Sequence, residues 1–285
     1  MPRLRNILPR FKSVRPYANL AYGWRDRPAL AVLGVARQRP FSSADLLSRI
    51  GHRFFPTLVV RPKQLQGNSV ILDPADGGHV TVFDEVFVSN VYNLSLVPFV
   101  PEMIVDCGGH IGLFSALAAS RFPDARVVIF EPVPANLSLI DLLLSRNRFR
   151  VEVIRAAVGT SHSTATFHLS SSSCAGSLEG DLVPTTHQFE VRVADLRQML
   201  KDWQPSTLLL KVDIEGAEET LIPAVVDVLP TTCALFFETH RDDKGWDCVY
   251  GALTKAGFIA QMLRSHDNCR DGFALRSASG EAPRR

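Results

Sequence analysis

The chain has 285 residues, of which 46% are hydrophobic and 21% charged, and its formal net charge is only +2. That is enough chain for one full core of about 200 residues with an extension, and the near-neutral balance excludes a global field of the kind that gathers nucleic acid. Five cysteines, at positions 107, 174, 233, 248 and 269, form no C-x-x-C pair, which argues against a disulfide framework or zinc site and for a reducing, cytoplasmic setting.

The charge is uneven: residues 1–40 hold nine Lys and Arg against one acid, and the other 245 hold 22 against 28. Residues 1–27 are rich in Arg, Pro and aromatics without periodicity, and read as an irregular basic arm, either solvated or bound to a partner or membrane surface. Residues 28–37 and 43–50 are predicted short helices; Ser42 or Ser43 can cap the second, where Leu46, Leu47 and Ile50 repeat at helical spacing. The apolar stretch from Pro28 to Ala36 is too short and too late for a signal peptide. No apolar run reaches the roughly 18 residues of a membrane span.

From Leu58 the pattern changes to short strands: 58–60, 69–72 and 79–83. The last two are predicted to form a hairpin around Asp73-Pro-Ala-Asp-Gly-Gly78, a small antiparallel cap. The expected division is 1–57, basic arm and short helices; 58–100, hairpin cap and lead-in; 101–278, main domain; 279–285, tail.

After residue 100 strands and helices alternate. Strands are predicted at 103–106, 126–130, 151–158, 207–213 and 234–238, with helices at 112–120, 134–146, 195–201, 217–228 and 246–256. Two strands, 164–169 and 189–193, flank a serine-rich loop that begins at Ser170, and strands at 258–263 and 272–276 close the series. This alternation implies an α/β fold, a mostly parallel sheet with helices on both faces, whose ligands sit over the carboxyl ends of the strands.

Acids collect at those ends: Asp106, Glu131, Asp213 and Glu238 each close an otherwise apolar strand. Glu131 lies 25 residues after Asp106, about the separation at which a dinucleotide fold places its ribose-binding acid. Between them Gly108-Gly-His-Ile-Gly112 forms a tight turn into a helix, where glycine allows close backbone approach. Its order is G-G-x-x-G rather than G-x-G-x-x-G, and Asp106 before it suits an ammonium better than a pyrophosphate. A cofactor with a ribose, a compact turn-facing part and a positive group fits this pattern, and S-adenosylmethionine has all three.

Four segments carry a closer likeness: Val105-Asp-Cys-Gly-Gly-His-Ile-Gly-Leu-Phe114, Phe130-Glu-Pro-Val-Pro-Ala-Asn136, Ala156-Ala-Val-Gly159 and Leu210-Lys-Val-Asp-Ile-Glu-Gly-Ala-Glu218. Over roughly residues 80–260 the chain resembles the FkbM-type family of S-adenosylmethionine-dependent methyltransferases, the D-x-E-G-x-E segment being the most family-specific part. The resemblance implies a Rossmann-like class I methyltransferase fold with an N-terminal helical and β-hairpin extension. It implies that Asp106, Gly108, Gly109, His110 and Gly112 hold the methionine portion and sugar. Glu131 would take the ribose hydroxyls, Pro132 and Ala157 would border the adenine, and Asp213 would lie near the methyl. Glu85 and Tyr92 would come from the N-terminal side. His110 departs from the family's usual Gly-Ala-Asn turn.

The reaction the resemblance implies is O-methylation of a hydroxyl on a sugar, glycan or secondary metabolite. An alcohol acceptor must lose a proton as it attacks, so a general base is sought among Asp213, Glu215, Glu218, Glu238 and His240. Glu218 can equally serve only the N-terminus of its helix. Lys211 is expected to pair with a neighbouring acid, and Cys107 to be packing. No metal is expected, since no ligand spacing such as H-x-x-x-H occurs, and no D/N-P-P-Y/F segment points to nucleic-acid bases. Two other readings stay open: a non-catalytic ligand-binding protein on the same fold, and an oxidoreductase using a nicotinamide dinucleotide.

Overall fold

The computed structural model describes residues 15–37, 57–170, 176–180 and 185–277. The predicted helix over 43–50, the serine run at 171–173, most of the basic arm and the 279–285 tail lie outside them.

The centre is a seven-stranded sheet. Its parallel part runs β5 (Val151–Ile154), β4 (Arg126–Phe130), β3 (Met103–Cys107), β10 (Thr207–Val212) and β11 (Thr232–Thr239). The antiparallel pair β13 (Cys269–Arg276) and β12 (Ile259–His266) extends it beyond β11. Strand order reverses between β3 and β10, so a crevice opens where their connections leave in opposite directions. The expected fold class is what the chain adopts.

Each parallel strand is a near-continuous apolar run because both faces are covered. Ile104, Val127, Leu209 and Ala234 feed one hydrophobic cluster. Their neighbours Val105, Val128, Leu208 and Leu235 feed the other, as the period of two in a strand requires. In chain order the α-helices are α1 (Arg27–Ala36), α2 (Gly77–Phe83), α3 (Leu113–Arg121), α4 (Pro134–Arg146), α5 (Leu196–Trp203), α6 (Glu218–Val225) and α7 (Asp242–Lys255). Asp195 caps α5, its carboxylate accepting from Gln198 N at 3.0 Å.

Three expectations are corrected. The hairpin pairs β1 (Leu58–Val60) with β2 (Val70–Leu72), not 69–72 with 79–83. Residues 77–83 are helical instead, because Asp76 caps the stretch by accepting from Gly78 N and His79 N, and Val80 and Phe83 then fall on one buried face. The predicted strand 151–158 breaks after Ile154; β6 (Ala157–Gly159) joins a second, four-stranded sheet with β9 (His187–Asp195), β7 (Ser163–Leu169) and β8 (Gly176–Ser177).

The described part of the extension is packed onto the sheet. Tyr17, Leu20, Leu30 and Leu33 share one apolar cluster with Ile104 and Phe236, and the Tyr17 hydroxyl donates to Asp84 at 2.5 Å. Among the described residues no helix is long and apolar enough to cross a membrane.

Candidate functional site

The carboxyl ends of β3, β4, β10 and β11 border a cavity of about 250 Å³. Its floor is backbone. Gly108 N and Gly109 N both donate to Phe130 O, at 3.2 and 2.9 Å, which folds the turn after β3 against β4. Gly108 has φ of +82°, and a Cβ there would stand 1.9 Å from Asp213 O; at Gly109 it would meet Ile129 Cγ2 at 2.2 Å. The glycines are needed to wedge the turn between two strands. His110 has φ of +49°, a left-handed conformation that Asn and His tolerate better than most side chains.

The His110 N–H donates to Glu131 Oε2 at 2.8 Å. Val133 N and Asn136 Nδ2 donate to Oε1 at 2.8 and 3.2 Å. Burial pushes the Glu131 carboxyl up to about 7, against the pull of these donors. The His110 ring lies against His79, with centroids 5.2 Å apart, and burial holds it down to about 3, a neutral imidazole. The turn thus reaches Glu131 through its backbone, which a change of side chain at 110 leaves in place.

Beyond the turn lies a charged cluster. Lys211 on β10 is flanked by Asp106 at 3.3 Å and Asp213 at 3.5 Å, and donates to Gly108 O at 2.6 Å. Burial alone would lower the ammonium, but the two carboxylates hold it above its ordinary value. Tyr92 donates to Asp213 Oδ2 at 3.1 Å. Glu85, in the π-helical turn Asp84–Val88 that continues α2, accepts from Arg264 at 2.9 Å, and Arg264 also donates to Asp271.

His240, just past β11, stands among carboxylates: Glu215 at 3.4 Å, Glu218 at 3.4 Å and Glu238 at 3.8 Å. Burial works against its charge, yet Glu218, Glu215 and Asp213 push it up to about 11. These carboxylates hold the imidazole's proton firmly. Burial raises the carboxyls of Glu215 and Glu238, while Lys211 and His240 lower Asp213 against the effect of its own burial.

Glu85, Tyr92, Gly108, Gly109, His110, Glu131, Pro132, Ala157, Asp213, Glu215, Glu238 and His240 all line this cavity. Asp106 and Gly112 do not. Asp106 is fully buried beneath the turn, accepting from Ser115 Oγ at 2.7 Å beside Lys211, so it braces the turn and cannot meet an ammonium in the cavity. Gly112 is the left-handed residue that starts α3, facing Ile140 and Leu143.

Some neighbours had no signal in the sequence. Phe167 and Leu178 reach the cavity from the second sheet and the segment after it. Arg264, His266, Cys269 and Asp271 come from the terminal hairpin, where no motif marked them. Glu218, a candidate base or helix-start acid from the sequence, is fully buried and accepts from Ile214 N at 2.7 Å and Gly216 N at 2.8 Å. Nor does missing motif spacing bear on ligands drawn from separate strands: the potential ligand atoms of Asp213, Glu238 and His240 lie within 4.8 Å of one another, as do those of Glu238, His266 and Cys269.

The residues suit S-adenosylmethionine. Glu131 Oε2 accepts from His110 N, and a carboxylate oxygen has acceptor capacity beyond one bond for a ribose hydroxyl. Phe130, Pro132, Val133, Ala157 and Phe167 around it give the apolar wall that an adenine needs.

The family described as Methyltransferase FkbM domain matches residues 106–268. The chain is 38% identical over 87 residues to an AMB antimetabolite synthetase of Pseudomonas aeruginosa, covering 30% of this chain and 4% of that protein. It is 26% identical over 179 residues to the methyltransferase sdnD of Sordaria araneosa, covering 50% of this chain and 68% of that protein. Among solved structures, a precorrin-6y C5,15-methyltransferase of Geobacter metallireducens is similar with a TM-score of 0.43 and 15% identity, over 67% of this chain and 89% of that one.

Proposed function

This chain belongs to the FkbM methyltransferase family, and we propose that it transfers a methyl group from S-adenosylmethionine to a hydroxyl of a sugar, glycan or secondary metabolite. One observation carries the reading. The cavity has a ribose-type acceptor, Glu131, on one side of the glycine turn, and a group of carboxylates, Asp213, Glu215 and Glu238, on the other.

When bound, the cofactor supplies an electrophilic methyl group for an in-line displacement. The chain's work is then alignment and proton removal. Glu131 anchors the ribose, while the backbone of Gly108–His110 forms the floor beneath it. Tyr92 and Lys211 fix the Asp213 carboxylate at the far end. The acceptor hydroxyl is held there, and its proton passes to Glu215. That carboxylate has 25% of its side chain exposed, against 13% for Glu238, so it can hand the proton on to solvent. His240 lies 3.4 Å from Glu215 and orients its carboxylate.

Calorimetry with S-adenosylhomocysteine tests the cofactor: folded protein that fails to bind it sinks the reading. Transfer of labelled methyl to a panel of hydroxyl compounds separates an enzyme from a binding protein on the same fold. A nicotinamide dinucleotide is the poorer fit, because the turn has the order G-G-x-x-G and the Asp213 carboxylate lines the cavity beside it.

A further inference from the structure

We propose that Asp213, Glu238 and His240 form a binding site for one divalent metal ion of the Mn2+ type at the acceptor end of the cavity. Their ligand atoms lie within 4.8 Å of one another and all three residues line the cavity. They arrive from the end of β10, from β11 and from the residue after it, so the sheet itself holds their spacing.

Two further features support a cation here. The first is the way His240 is aimed. Glu218 is pinned by the backbone N–H groups of Ile214 and Gly216 and lies 3.4 Å from His240 Nδ1. That leaves Nε2 pointed at Glu215 and Glu238. A buried carboxylate on one ring nitrogen, with the other facing open ligands, is how metal-binding histidines are oriented. The second is charge. Among the described residues the ion pairs of Glu215, Glu218 and Glu238 run only to histidines. Lys211 serves Asp213 but is shared with Asp106. Four carboxylates, Asp213, Glu215, Glu218 and Glu238, thus share one lysine and two histidines. An ion bound there takes the place of the His240 proton, which is released to solvent.

Two carboxylates and one imidazole are a mixed hard and borderline donor set, suited to Mn2+ rather than to a soft thiolate metal. The adjacent triad of Glu238, His266 and Cys269 is less open, because His266 faces Asp271 at 3.2 Å. The role of the ion rests on the methyltransferase reading: it would bind the acceptor oxygen and lower the pKa of its hydroxyl. Its binding does not depend on that reading.

The test is electron paramagnetic resonance titration of Mn2+ into the chelator-treated full chain, with S-adenosylhomocysteine binding measured separately by calorimetry. One ion per chain is expected. D213N and H240A should each weaken it at least tenfold, and E218Q, which alters only the group that aims His240, by about tenfold. The paired variant H266A and C269S should bind as the wild type does. Protein that binds S-adenosylhomocysteine but leaves Mn2+ free at millimolar concentration overturns the metal site. So does binding that survives H240A or is lost on changing His266 and Cys269. Failure of S-adenosylhomocysteine to bind overturns the methyltransferase reading alone.

Discussion

Lys211 and Asp106 stand opposite each other in register on adjacent parallel strands, and the ammonium of one lies 3.3 Å from the carboxylate of the other, with both side chains almost wholly buried. The pair bridges β3 and β10 directly below the point where strand order reverses. Lys211 also holds Gly108 O and Asp213, so a single ammonium ties the floor of the cavity to its charged wall.

Removing that ammonium strips the buried Asp106 and the partly exposed Asp213 of their shared cation. Lys211→Met should destabilise the fold by about 3–5 kcal/mol, the usual cost of breaking one side of a buried pair. Urea unfolding measures it. Adding Asp106→Asn should recover part of the loss, since one of the stranded charges is then gone. A single variant as stable as the wild type would mean that water reaches the site.

The turn makes a sharper contrast. Gly108→Ala would set a Cβ 1.9 Å from the carbonyl oxygen of Asp213, at a φ of +82° that alanine resists. Gly109→Ala collides at 2.2 Å with a side chain, Ile129. Both should lose S-adenosylhomocysteine binding in calorimetry. Trimming Ile129 to Ala should restore binding to the Gly109 variant and not to the Gly108 variant, because only a side chain can be cut away.

These residues also show where the sequence is legible. The glycine turn, the apolar strands and the acids at their ends are local signals, and they located most of the cavity wall. The direction of a side chain at a strand end is not local. Asp106 and Asp213 look alike in sequence, yet one points beneath the turn and the other into the cavity, because Ser115 and Lys211 claim the first. The same limit hid Arg264 and Asp271: Arg264 on β12 reaches Glu85 and holds Asp271 on β13, and that hairpin is brought there by the pairing of β13 with β11. The strand expected at 79–83 failed for a different reason. Its alternation was real, but the Asp76 cap decided for a helix.

His110 gives a pH signature. Its unfolded form takes up a proton below about 6.5, while the folded form resists until about 3. The folded state therefore loses stability as pH falls through that window, by about 3 kcal/mol at pH 4. His110→Asn removes this contribution, so the urea midpoint of the wild type should fall more steeply between pH 7 and pH 4 than that of the variant. Binding of S-adenosylhomocysteine should stay of the same order, because the backbone N–H at this position makes the contact with Glu131. A gain of orders of magnitude would instead mark the natural site as degenerate.

Glu131 should be a binding residue. Glu131→Gln keeps the shape but weakens the acceptor for two ribose hydroxyls and disturbs the bonds from His110 N and Val133 N. A loss of about 1–3 kcal/mol is expected, roughly tenfold to a hundredfold in the calorimetric Kd. An unchanged Kd would place the ribose elsewhere.

Glu215 should separate chemistry from binding. Its carboxylate lies beside His240 and away from Glu131, so Glu215→Gln should leave S-adenosylhomocysteine affinity unchanged. Methyl transfer to a hydroxyl should nonetheless slow by about a hundredfold to ten-thousandfold, the range for loss of a positioned proton acceptor. The loss should appear in kcat rather than KM, because the proton moves only as the acceptor attacks. Glu238→Gln is the comparison. Glu238 is less open to solvent, and in the proposed site it holds the ion rather than the proton. Its replacement should therefore respond to added Mn2+, and that of Glu215 should not.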